Sequence, residues 1–298
     1  MVQKMSGRNN SLVSVFLLSL LLVACGSAPE KPNLPSEQAN MLSARADAAF
    51  LQGEYERAAD EYLKALRISQ SVENTAEIAI LRFNLARALR ESGHPESAHQ
   101  HLDALFSEPV LPYPPATLAA AAALKSQLYL EGGELIPASR WVEKGGELCQ
   151  SKCAAAGSLL LLRAQLAQRE GRFDEALKFA EEAVSALNSG RQQIELANAH
   201  RLSGEISMQK NDLSGAYPSF LKALAIDQKS GAPGKIRLDL LCLGMAYERA
   251  GEVGTALHYY HRALSVSEGI GTAKGVDEVR VLIQNLQGTP ETRATGPR

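Results

Sequence analysis

A chain of 298 residues with 31 lysines and arginines against 33 aspartates and glutamates carries a formal net charge of −2. Nothing in that balance suggests electrostatic capture of nucleic acid, which requires a basic face. Aromatic residues make up only 5% of the chain, while alanine and leucine abound, a mix that suits helices packed through small residues and is poor for strands. With no sustained period-two alternation of β-branched residues, the chain reads as all-α.

Taken in order, the chain begins with Lys4 and Arg8 and then an almost wholly apolar run from Ser11 to Ala24. The run is shorter than the roughly 20 apolar residues of a permanent membrane span and suits export. Leu22-Val23-Ala24-Cys25 follows small residues with a cysteine where a mature chain would start. These residues resemble a bacterial lipoprotein signal peptide. The resemblance implies that residues 1–24 are removed, that the Cys25 thiol takes a diacylglyceryl group, and that the new amino terminus is acylated. Several acyl chains on one residue anchor a protein durably, where a single chain binds marginally. In similar Gram-negative lipoproteins an aspartate after the cysteine retains the protein at the inner membrane. Gly26 stands there instead, so the resemblance implies an outer-membrane anchor with the body facing the periplasm. Loss of the leader's two basic residues leaves 29 against 33, a net charge of −4. Residues 25–38, with Pro29, Pro32 and Pro35, read as the lipidated cysteine and an extended tether.

Residues 39–272 are organised by an internal repeat. Turn residues fall at Gly53, Gly93, Gly133, Gly171, Asn211 and Gly251, a period of 40 with one interval of 38. Glycine or asparagine there can take the left-handed conformation that ends a helix. Five residues on stand Ala58, Ala98, Ala138, Ala176, Ala216 and Ala256, and seven residues before stand Ala46, Ala86, Ser126, Ala164, Gly204 and Gly244. These small side chains mark places where two backbones approach closely. Each unit is therefore a helix pair that buries its apolar stripe only by stacking on its neighbours. Pro109, Pro112, Pro114 and Pro115 punctuate the connection between units two and three, where a bend is expected. Residues 273–287 keep helical periodicity and read as a capping helix, and residues 288–298, without a large apolar side chain, as a disordered tail.

The order of small residue, turn glycine, aromatic or apolar residue and alanine resembles the tetratricopeptide repeat family over about residues 39–268. The period is longer than the usual 34 residues and no proline closes a unit, so the pattern looks more like the 40-residue variant of G-protein-regulator adaptors and kinesin light chains. The resemblance implies an all-α, right-handed solenoid of six helix pairs plus a C-terminal capping helix. It further implies a protein or peptide partner held along the concave groove. Mapping the family's groove offsets onto this chain gives Asn84, Arg87, Arg90, Gln127, Gln165, Gln168, Arg201, Glu205, Met245 and Glu248. Arg87 and Arg90 could favour an acidic peptide through forked hydrogen bonds; a solvated helix face would carry the same residues.

Other chemistry is sparse. Cys149 and Cys153 are spaced so that they could pair in an oxidising compartment, or stand as two free thiols; no CxxC redox motif is present. Cys242, among leucines, reads as a buried inert thiol. His258 and His261 have a helical spacing that can serve a metal, but no motif joins them, and solvated histidines are the simpler reading. No phosphate loop or nucleophile elbow occurs, so the expectation is a non-enzymatic scaffold or adaptor in an envelope assembly, without cofactor, metal or nucleic acid. A pilotin-like assembly factor for a secretin or type IV pilus is the alternative. A metal protein or enzyme using the surface histidines is the alternative from another class.

Overall fold

The computed structural model describes residues 34–107, 112–149, 153–187 and 192–288. Among these residues there are thirteen helices and no strand. Six pairs follow one another: α1 (Leu34–Leu51) with α2 (Tyr55–Ser71), α3 (Thr75–Glu91) with α4 (Pro95–Asp103), and α5 (Pro115–Glu131) with α6 (Leu135–Cys149). Then come α7 (Ala156–Arg169) with α8 (Phe173–Leu187), α9 (Gln193–Gln209) with α10 (Leu213–Ser230), and α11 (Pro233–Arg249) with α12 (Val253–Ile270). A single helix, α13 (Ala273–Gln287), covers the last pair. Helices pack chiefly on their neighbours in the chain, which makes the molecule a solenoid.

The six turns within pairs are built alike. Gly53, Gly93, Gly133, Gly171 and Gly251 have φ between 77° and 83°, and Asn211 has φ 62°. Each donates its N–H to the carbonyl three residues back, and the next residue donates to the carbonyl five back, as Glu54 does to Ala49 and Glu252 to Tyr247. This pair of bonds satisfies the orphan carbonyls at the helix end. The same next residue then accepts the first bond of the second helix, Ala58 N–H to Glu54 for example, so one residue both ends and starts a helix. Between units one and two the left-handed position is held by Glu73 at φ 51°, where a side chain costs about 1–2 kcal/mol more than glycine.

The small residues lie at the closest helix contacts. Ala58, Ala98, Ala138, Ala176, Ala216 and Ala256 are wholly buried, as are Ala46, Ala86, Ser126 and Ala164. A methyl group on Gly204 would run into the Phe220 ring, and one on Gly244 into the Tyr260 ring. Both rings are fully buried, so each glycine makes the space that an aromatic of the paired helix fills.

Two features depart from the sequence expectation. Helix α1 starts at Leu34, so the tether does not extend to residue 38. Pro35 is tolerated in the first turn, where its missing N–H would have no partner anyway. Helix α4 has only 9 residues against 15 to 18 for the other second helices, although Leu102 and Leu105 are still buried. At this joint the Lys125 side chain is buried, bonds to Asp103, and places its ammonium 4.4 Å from the centroid of the Trp141 ring. Phe106 packs on the same indole at 4.7 Å. An aromatic and cationic cluster thus fills the joint where the second helix is short. Cys25 and Pro109, singled out above, lie outside the described residues, as do residues 1–33 and 289–298.

Candidate docking groove

The first helices of the pairs carry all ten residues mapped from the groove offsets, and the structure divides those residues into two groups. One group is engaged by the protein itself. Arg90 donates from Nε to both Glu131 oxygens, at 3.1 and 3.0 Å, from Nη2 to Glu131 Oε1 at 2.7 Å, and from Nη1 to Glu91 at 2.8 Å. Its fork is filled by a carboxylate of the next unit, so an acidic ligand would have to displace Glu131. Gln127 donates to the same Glu131 at 3.2 Å, and Gln168 donates to Gln209 at 3.1 Å. Glu248 accepts from the Tyr260 hydroxyl at 2.6 Å, tying α11 to α12.

Arg201 departs from the expected exposed groove position. It is buried, and all its nitrogens are occupied: Nε donates to Asp239 at 2.6 Å, Nη2 to Asp227 at 2.5 Å, and Nη1 to Asn198 at 2.7 Å. Two carboxylates from other helices draw the guanidinium inward, so its hydrogen bonds serve the joint between units five and six. Glu205, one turn along α9, is half-buried, and burial pushes its carboxyl above the usual range against the opposing effects of Arg201 and Gln168.

The other group faces outward. Arg87 lies over the rings of Phe50 at 4.7 Å and Phe83 at 5.7 Å, and donates to Asn84 at 3.5 Å. Gln165 is half-buried, and Met245 is 40% exposed. Where α1 meets α3 there is a hollow of about 310 Å³ lined by Asn40, Ser43, Asn74, Glu77, Ile80 and Leu81. Ile80 is among the exposed large apolar residues, with Met41 and Leu238 on other first helices. Lys235, at the start of α11, is shifted down by burial and by Arg201, and Glu91 and Arg90 of unit two also act on it. Such a face offers amide donors, a ring-stacked guanidinium and isolated apolar patches, which suit a peptide better than a small substrate.

Sequence reasoning did not find Glu131, Gln209, Asp227 or Asp239. The signal for the first two was present, because Arg90 to Glu131, Gln168 to Gln209 and Arg237 to Glu278 all span 41 residues. Once the period is known, a side chain finds the next first helix one residue beyond it.

Of the other candidates, Cys149 and Cys153 form a disulfide with Cα atoms 5.2 Å apart. Cys242 is a buried free thiol, and burial pushes it up to about 12. His258 packs edge-on against Tyr259, and both it and His261 are exposed. Among the described residues no group of three or more histidine, cysteine, aspartate or glutamate side chains is placed to hold a metal. No described helix is long and apolar enough to cross a membrane.

Residues 37–105 match the tetratricopeptide repeat family model. No curated protein matches the chain significantly by sequence. Solved structures match over most of the chain. A signal transduction ATPase with a tetratricopeptide repeat sensor from Pyrococcus horikoshii matches 81% of this chain and 37% of its own, at 14% identity and a TM-score of 0.63. The Cut9 and Hcn1 hetero-tetramer of the APC/C matches 90% and 45%, at 12% identity and 0.65. PilW, a type IV pilus biogenesis factor, matches 81% and 97%, at 14% identity and 0.55. The chain thus spans less than half the length of the first two. It has the fold of tetratricopeptide repeat solenoids, matched in sequence over residues 37–105.

Proposed function

We propose that this protein is a lipid-anchored scaffold of the bacterial envelope, built from six 40-residue tetratricopeptide-like units, that holds a protein partner along its first-helix face. The observation that carries the reading is the combination of a lipobox ending at Cys25 with a solenoid whose first helices present Arg87, Gln165, Met245 and the Ile80 hollow. The anchor would confine the protein to the periplasmic face of the outer membrane, raising the local concentration of any partner on the same surface. The Cys149–Cys153 bond suits that oxidising compartment. The protein would act by positioning a partner, without chemistry of its own.

Affinity capture from native envelopes tests this, comparing the native chain with Cys25→Ser, with the groove variant Arg87→Glu/Gln165→Lys, and with Glu181→Lys/Glu182→Lys on α8 as a control. The expected result is one partner lost in the groove variant and kept in the control, with a lower yield for Cys25→Ser. Loss in the control but not in the groove variant would move the docking face to the second helices.

A pilotin-like role, escorting a secretin or pilus subunit, is the second reading. It is favoured by the PilW match, which covers nearly all of that protein. Identification of a secretin or pilus subunit in the capture would select it.

A further inference from the structure

The joint between units five and six contains charge that its visible partners do not balance. Asp227, at the end of α10, and Asp239, in α11, are fully buried, and the guanidinium of Arg201 from α9 holds one oxygen of each. The remaining oxygens, Asp227 Oδ1 and Asp239 Oδ2, are buried and accept no hydrogen bond, and the two carboxyl groups meet at the same guanidinium. Two ionised carboxylates against one guanidinium would leave a net negative charge away from water and two orphaned acceptors, an arrangement proteins avoid. One retained proton would cancel the net charge, and held between the two orphaned oxygens it would also give each a partner, as in other close carboxylate pairs.

We propose that Asp227 and Asp239 share one proton, and that this proton locks unit six onto unit five. With it the triad is neutral, and every oxygen facing the joint is hydrogen-bonded. Without it the two carboxylates repel across the boundary between α10 and α11. The surrounding charges fit this assignment. From α9 the cluster faces Arg201, Asn198 and Glu205, whose own carboxyl is raised by burial. From α11 it faces Lys235, shifted down by burial, and the neutral thiol of Cys242. Burial raises both aspartates against the pull of Arg201, and Asp239, with Asp227 also acting on it, is pushed up to about 7.

The folded pair keeps its proton well above the ordinary aspartate value of about 3.9. Its contribution to stability is therefore complete below that value and declines as pH rises. The decline is about tenfold in the folding equilibrium per pH unit, ending near pH 7. Arg201 and Glu205 share α9 with the groove, so release of the lock would reshape the docking face beside units five and six. Only that last consequence rests on the docking reading; the proton itself is measurable without any partner.

The test is urea denaturation of the full-length chain at half-unit steps from about pH 5 to 8, beside Asp239→Asn, whose amide can replace the shared proton. The unfolding constant of the native chain relative to the variant is expected to rise about tenfold per unit up to about pH 7 and then level off. Parallel curves for the two proteins would overturn the proposal. Should Asp239→Asn not fold, carboxyl carbon NMR of the native chain labelled at aspartate decides the matter. One resonance titrating near neutrality is expected, and titration of every aspartate below about pH 5 would refute the shared proton. A normal pH step with no partner in the capture experiment would retire the docking reading and leave the lock standing.

Discussion

Gly204→Ala is a substitution for which helix propensity and packing predict opposite signs. In the interior of α9, alanine should gain about 1 kcal/mol over glycine. Against that, the new methyl would stand 2.5, 2.7 and 2.9 Å from three atoms of the Phe220 ring. Carbon atoms prefer about 3.5–4.0 Å, so the ring edge must retreat by about 1 Å. Phe220 is fully buried, its ring is rigid, and three of its atoms are affected together, so the upper part of the usual 1–3 kcal/mol overpacking range applies. The net expectation is a loss of about 1–2 kcal/mol, read as a lower urea midpoint by circular dichroism. Gly254→Ala in α12 is the control, since nothing lies within 4 Å of its added methyl, and it should gain about 0.5 kcal/mol. Adding Phe220→Leu to Gly204→Ala should cancel most of the penalty, giving a coupling of about 1–2 kcal/mol. A midpoint for Gly204→Ala at or above that of the native chain would refute the argument that this glycine exists to admit the ring.

Three further outcomes follow from the same structure. Arg201→Met leaves two buried carboxylates without their counter-charge and should cost about 3–5 kcal/mol at neutral pH, less near pH 5, where the pair can take up a second proton; thermal melts at the two pH values check this. Reduction of Cys149–Cys153 opens a ring whose cysteines are only four residues apart, so chain entropy sets a loss of at most about 2 kcal/mol, measured by urea melts with and without reductant. Lys125→Met keeps the stem that fills the joint against Trp141, gives up the ammonium's contact with that ring, and leaves unpaired Asp103, whose side chain is 60% exposed. It should change stability by less than about 1 kcal/mol, whereas Lys125→Ala should lose about 2 kcal/mol or more, both followed through Trp141 fluorescence.

The solenoid was legible in the sequence because its determinants are local and recur. Gly53 to Gly251 each must adopt a left-handed conformation, and Ala46, Ala58 and their equivalents each must fit beneath a neighbouring backbone. Such demands leave the same residue type at the same offset in every unit. The groove was less legible for a physical reason. An offset places a Cα on a face, but the fate of a long side chain depends on partners elsewhere in the chain. Arg87 and Arg90 stand three residues apart with equal claim to a ligand, yet one stacks on Phe50 and the other is taken by Glu131. Arg201 has the offset of a groove residue and is buried because Asp227 and Asp239, 26 and 38 residues away, meet at its position. No repeat encodes that triad, since among the described residues it occurs at one joint only.

The shortness of α4 has a mechanical consequence. In a solenoid each unit is stabilised by its own fold and by the interfaces it shares with the units before and after it. A 9-residue helix offers little more than half the contact length of its counterparts, and part of what remains rests on Lys125 rather than on hydrocarbon. Cooperativity should therefore break at that seam, with the first two units and the last four opening as separate blocks in hydrogen exchange. Under tension the block nearer the amino terminus would open without disturbing the other.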